Sequence, residues 1–185
     1  MLKPNPKGDY PIIHETAFVD ETAIIVGNVR IGANTFVGPL AVIRADESES
    51  CVAIGKNSNV QDHVIIHAHA GTSAEIGESV SLAHGCVVHG PCLVARDCFI
   101  GFNAVIHTAE LGEGVFVGHS STIATTSIPK GKKIPHASLV DTLEAADELP
   151  DTSVKEKKLA EKIVQANHVL VSGYRVLEGN PRESS

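Results

Sequence analysis

Residues 13–43 read IHETAFVDETAIIVGNVRIGANTFVGPLAVI, and every sixth position, Ile13, Val19, Ile25, Ile31, Val37 and Ile43, is Ile or Val. The series resumes after an eleven-residue step at Ile54, Val60 and Ile66. A ten-residue step leads to Ile76, Leu82, Val88, Val94, Ile100 and Ile106, and a five-residue step to Leu111, Val117 and Ile123. Four residues beyond most of these stands a small side chain, as at Ala41, Ala70, Cys86, Cys92 and Cys98, with Glu47 the clear exception. A hexapeptide period sustained over this length predicts a mainly-β chain coiled as a parallel β-helix. Three hexads make one triangular turn, and the aliphatic positions fill the prism.

The period gives the cysteines a role. Cys51, Cys86, Cys92 and Cys98 match no paired-cysteine metal or redox spacing. The last three fall on the small-residue position of consecutive faces, where a thiol packs as a small apolar group.

From about residue 142 the pattern changes. The spacing predicts a β-helix domain over 1–141 and a helical extension over 142–185 that packs on the prism. Residues 142–150 and 153–174 read as helices. The second opens with Ser153 and Glu156 in a capping box and carries Leu159, Ile163, Ala166, Leu170 and Tyr174 as an apolar stripe. The tail from Gly179 is polar and is expected to fray.

Composition narrows the function classes. Fifteen Lys and Arg against 22 Asp and Glu give a net charge of −7 with no basic run, which argues against nucleic acid or an anionic membrane as partner. With no Trp, two Tyr and five Phe, the core must be aliphatic. No apolar run reaches the roughly eighteen residues of a membrane span, and MLKPNPKGDYP lacks the apolar segment of a signal peptide, so a cytoplasmic protein is expected.

Residues 81–91, SLAHGCVVHGP, place His84 and His89 five apart. Hexads are numbered from Ile13, counting the eleven-residue step as two shortened hexads and the ten-residue step as one lengthened hexad. His67 and His89 then stack one turn apart on one face, about 4.8 Å from each other. Two imidazoles so placed can share one ion with bonds of about 2.0–2.1 Å. His84 falls on the adjacent face, where it would serve a neighbouring chain's site in a threefold assembly. His107 occupies the same hexad position as His67 and His89, so a ladder within one chain is the alternative. The same count stacks Arg44 with Gln61 and Asp62 with His84, Asp46 and Glu47 following Arg44. It leaves His14, His119, His136 and His168 unaligned.

RADE at 44–47, NVQD at 59–62 followed by His67, SLAHGCVVHGP at 81–91 and NHVLVSGY at 167–174 resemble the γ-class carbonic anhydrases, in their loop-lacking branch. The resemblance implies a left-handed β-helix that forms a homotrimer with an ion at each subunit interface. His67 and His89 would bind it from one subunit and His84 from the next. The implied ion is Zn²⁺, with Fe²⁺ or Co²⁺ as alternatives. The implied reaction is reversible hydration of CO₂ to bicarbonate by a metal-bound hydroxide. Gln61 and Asn167 would lie near the substrate, Glu47 would be a catalytic or proton-handling acid, and Arg44, Asp46 and Asp62 would form interface ion pairs. Where the family's better-known branch has a proton-shuttling glutamate, this chain has Ala70, and His69 is the candidate relay. A hexapeptide acyltransferase, a thioester hydrolase or a non-catalytic scaffold trimer are the alternative functions on this fold.

Overall fold

The computed structural model describes residues 1–179. The chain winds as a left-handed parallel β-helix of about seven turns followed by a C-terminal helix. Each turn lays one short strand on each of three faces, which become parallel sheets of eight, seven and seven strands. The first face includes Val42–Ala45, Ile65–His67, Val87–His89 and Val105–His107. The second includes Cys51–Ile54 and Ser73–Ile76, and the third Asn59–Val60, Ser81–Leu82 and Phe99–Ile100.

The period residues build the core. Ile25, Ile43, Ile66, Leu82, Ile100 and Ile106 are wholly buried, and the small positions Ala23, Ala41, Val64 and Cys86 fill the corners between them. The backbones of successive coils run so close that glycine is required at some corners. A Cβ on Gly55 would stand 2.5 Å from the backbone of Gly77. Cys86, Cys92 and Cys98 are buried and unpaired, and burial pushes the Cys86 and Cys98 thiols up to about 12. They pack as the apolar groups the period predicts.

Three expectations need correction. The eleven-residue step is one lengthened hexad, because Ile43 lies on the first face and Ile54 on the second. Residues 46–50 loop out at the corner instead of forming a short strand. Arg44 therefore shares its column with His67 and not with Gln61. Ala70 is exposed in the second corner loop, and Ala68 and Ala74 take the inward small positions around it. The period also runs one coil past Ile123, through Ile128, Ile134 and Val140.

Helix α1, Leu143–Asp147, is capped by Thr142 and seats Ala146 in the prism core. Helix α2, Val154–Gly179, begins with the predicted box: the Ser153 amide donates to Glu156 Oε2 at 2.8 Å, and the Glu156 amide to Ser153 Oγ at 3.3 Å. Its packed stripe differs from the predicted one. Leu159, Ala166 and Leu170 are exposed, while Ala160, Ile163, Asn167, Val171 and Tyr174 meet the third face.

The reason is the column on that face. Phe18, Phe36, Asn59, Ser81, Phe99 and Phe116 point outward in register, with Lys133 next. From Glu156 to Tyr174 the helix rises about 27 Å at about 1.5 Å per residue. The six coils it crosses climb about 29 Å at about 4.8 Å each. Three or four helical residues thus match each coil from Lys133 down to Phe18. Residues 180–185, most of the tail expected to fray, lie outside the described residues.

Candidate metal centre

Two corner loops frame the histidines. Residues 46–50 and 68–72 leave the first face one above the other, joined by a bond from the Gly71 amide to Ser48 O at 2.9 Å. The Ala70 amide donates to Glu47 Oε2 at 2.8 Å, which holds this carboxylate beside His67.

His67 and His89 sit in register on adjacent strands, as the spacing predicts, with ring centroids 5.1 Å apart. His89 Nδ1 lies 3.1 Å from Gly90 O. A carbonyl only accepts, so the proton belongs on Nδ1 and the Nε2 lone pair is free. His67 Nε2 is buried without a hydrogen bond, and the nearest acceptors are Glu47 Oε1 at 3.4 Å and Asp46 Oδ1 at 3.8 Å. Those carboxylates are acceptors too and favour the proton on Nε2. In these tautomers His67 Nδ1 and His89 Nε2 point lone pairs at each other across 3.2 Å, which a shared cation or proton relieves. Two donors of a tetrahedral zinc sphere are about 3.3 Å apart, so the pair fits such an ion. The His67 pKa is lowered by burial and then by the Arg44 and His89 charges, against Glu47 and Asp46. The neutral, ligating form is favoured.

Arg44 lies in the same column and clamps Asp46, with Nη2 2.9 Å from Oδ2 and Nε 3.2 Å from both carboxylate oxygens. His107 continues the column beyond His89 at a centroid distance of 5.4 Å, and it is exposed. His69, in the second loop, has its ring 5.7 Å from that of His89.

His84 stands at the corner between the third and first faces. Its Nδ1 is 3.3 Å from Asp62 Oδ2, and its side chain is half exposed. The predicted Asp62–His84 stack is present, and its outer nitrogen is again tied to a carboxylate. Among the described residues of one chain, no three His, Cys, Asp or Glu side chains converge closely enough to hold an ion. His119 and His136 are aligned after all, in the corner column above His84. Phe102 and His119 stack at 4.3 Å, and His119 and His136 are 4.7 Å apart.

Gln61 and Asn167 meet on the third face. Gln61 Nε2 donates to Asn167 Oδ1 at 2.8 Å and to Asn59 Oδ1 at 2.9 Å, and Asn59 Nδ2 donates to Ser81 Oγ at 2.8 Å. Sequence reasoning assigned no role to Asn59 or Ser81. The signal was there: they interrupt a column of outward phenylalanines, with Phe18 and Phe36 on one side and Phe99 and Phe116 on the other. Within one chain this amide chain shares the His84 side of the prism, apart from His67 and His89.

No family model matches the chain. The carbonic anhydrase of Methanosarcina thermophila is 34% identical over 192 residues, covering 92% of this chain and 77% of that protein. The carboxysome assembly protein CcmM of Nostoc is 36% identical over 172 residues, 88% of this chain and 31% of that protein. The Escherichia coli carnitine operon protein CaiE is 40% identical over 100 residues, 54% of this chain and 50% of that protein. The alignments thus span about a third of CcmM and half of CaiE. Solved structures share the fold. A Bacillus cereus protein assigned as an acetyltransferase has a TM-score of 0.80 at 24% identity, with 96% of this chain and 98% of that chain covered. A hexapeptide transferase family protein from Anaplasma phagocytophilum has a TM-score of 0.78 at 22% identity, covering 94% and 98%. The long alignment to the Methanosarcina enzyme and the coiled fold together show that the chain belongs to the γ-class carbonic anhydrase family of hexapeptide-repeat proteins.

Proposed function

We propose that the protein interconverts CO₂ and bicarbonate as a metal-dependent carbonic anhydrase, at sites shared between the subunits of a homotrimer. One observation carries this reading. Each of His67, His84 and His89 has one ring nitrogen beside a carboxylate or carbonyl and the other left for a ligand, the outer-sphere pattern of metal-binding histidines. His67 and His89 of one subunit and His84 of the next would hold the ion. When bound, zinc lowers the pKa of its water to about 7 and so supplies the nucleophile at neutral pH.

The chain's own residues do the rest. The Gln61–Asn167 pair offers fixed amide groups that orient the oxygens of CO₂ or bicarbonate. Glu47, with Oε2 anchored by the Ala70 amide and Oε1 beside His67 Nε2, is the carboxylate at the rim of the site that handles the proton. His69, beside His89, passes it on toward solvent. Arg44 with Asp46, and Asp62, form the ionic frame where subunits meet.

The test combines metal analysis and a CO₂ hydration assay on anaerobically purified protein, followed by refolding His67→Ala and His84→Ala subunits together. Each variant alone is expected to be metal-poor and inactive. Mixed trimers should regain part of both properties, because at least one site then draws intact ligands from two chains. No recovery despite demonstrated mixing overturns the shared site.

A further inference from the structure

Two ladders of side chains climb this molecule one residue per coil. On the first face, Arg44, His67, His89, His107 and Ala124 are hydrogen-bonded strand neighbours in register. Beside them the outward residues Ile65, Val87 and Val105 form an apolar column. At the corner between the third and first faces stand Asp62, His84, Phe102, His119 and His136. The corner ladder is stiff: the Phe102 amide donates to His119 Nδ1 at 2.9 Å, and the His119 amide to His136 Nδ1 at 2.8 Å. His84 and Phe102 have ring centroids 5.5 Å apart. Phe102 is nonetheless 44% exposed, a phenyl ring in water on an otherwise rigid edge.

Both ladders rise by the same coil spacing, about 4.8 Å. Around a threefold axis neighbouring prisms run in the same direction, so fixing one contact fixes all the others. Resting on the shared site proposed above, His84 lies between His67 and His89 of the partner subunit. Asp62 then falls between the partner's Arg44 and the partner's His67, Phe102 between the partner's His89 and the partner's His107, and His119 between the partner's His107 and the partner's Ala124. The steps match in chemistry: the carboxylate reaches the guanidinium, the phenyl ring meets rings, and the bulky stacked imidazole of His119 enters where the column narrows to its smallest side chain. A slip of one coil in either direction breaks this match. One way it brings Asp62 level with the two imidazoles and away from Arg44; the other way it drives the phenyl ring between them.

We propose that Phe102 is the positioning residue of this interface. It inserts against the partner's His89 and the partner's His107, beside the apolar column, and so sets the depth at which His84 enters the neighbouring site.

Cross-linking tests the register directly. In a Cys51→Ser background, Phe102→Cys combined with His107→Cys is expected to give covalent dimers and trimers with a short bis-maleimide. Phe102→Cys combined with Arg44→Cys, two coils out of register, is expected to stay monomeric on denaturing gels. Sedimentation of the same samples separates the register from the shared site. A trimer in which the first pair fails, or the second reacts equally, overturns the register. A monomer overturns the shared site along with it. The positioning role has its own readout in cobalt-loaded protein. Phe102→Ala should remain trimeric but bind Co²⁺ roughly 10-fold more weakly with an altered visible spectrum, and Phe102→Leu should restore most of the affinity. Unchanged cobalt affinity and spectrum in Phe102→Ala overturn it.

Discussion

The third and first faces of the prism are built alike and finished differently. Each carries an outward column in strict register: Phe18, Phe36, Asn59, Ser81, Phe99 and Phe116 on the third, and Ile24, Val42, Ile65, Val87 and Val105 on the first. Helix α2 covers the former and leaves Phe18, Phe36, Phe99 and Phe116 buried. Among the described residues nothing covers the latter, where Ile24 and Ile65 are 37% and 44% exposed. On the second face the equivalent column is broken by Arg30, Glu75 and Glu110 and needs no cover. A solenoid presents its outer columns to water unless something is laid over them. Here one is covered by the chain's own helix, and we assign the other to a second copy of the chain. The histidine column lies along the uncovered one.

The largest effect should come from charging the uncovered column. Ile65→Asp together with Val87→Asp is expected to convert trimer to monomer in sedimentation and to abolish metal binding, while far-UV circular dichroism stays that of the intact prism. Loss of the β signal would mean that this column supports the fold itself. Truncation under the helix should cost less and act on stability. Phe99→Ala removes the stack on Phe116, at a centroid distance of 4.7 Å, and the packing on Ile163. It should lower unfolding free energy by about 3 kcal/mol in denaturant titrations, without changing the metal content of the folded protein.

Next comes the pin at the start of α2. Burial alone would push Glu156 up, but hydrogen bonds from Lys133 and Ser153, and the Lys133 charge, hold its carboxyl at about 2. A carboxyl held below its ordinary value of about 4.3 contributes stability that is full above that value. The contribution is lost as pH falls toward 2. Discounted for solvent screening at this lightly buried pair, Glu156→Gln should therefore cost about 1 kcal/mol at pH 7, and the gap to the parent protein should close between about pH 5 and pH 2. A gap independent of pH would show that the ion pair is not its source. The smallest effect belongs to the site's rim. Proton transfer to bulk water alone limits turnover to roughly 10³ per second for a group with a pKa of about 7, given a diffusional ceiling of about 10¹⁰ M⁻¹s⁻¹. His69→Ala is expected to lower kcat several-fold in weak buffer, leave kcat/KM for CO₂ unchanged, and be rescued by imidazole. An unaltered kcat would make His69 a surface residue only.

The pairing of His67 with His89 can be read from the sequence because both follow a period residue by one, and the ten-residue step between Ile66 and Ile76 is one lengthened hexad. The company of Arg44 could not. Counting the eleven-residue step as two strands or one is a choice between one extra corner and a loop, and hydropathy is silent on it because residues 46–50 are polar under either count. Contact between the corner loops, through Glu47 and the Ala70 amide, decides in favour of one strand and a loop. The stripe of α2 differs from the expected one for a related reason. Leu159, Ala166 and Leu170 satisfy helical spacing as well as Ala160, Asn167 and Val171 do, and only the column beneath selects between them. Asn167 is chosen over Ala166 where that column turns polar at Asn59 and Ser81.

By itself the sequence determined the coil: a hexapeptide run of branched aliphatic residues has one efficient way to bury itself, and local spacing is enough to state it. Tertiary structure alone decided which polar side chains share a column, which nitrogen of each histidine is left free, and where His119 and His136 stand. These depend on how many residues each corner consumes and on what the neighbouring coil offers, and a one-dimensional pattern carries neither.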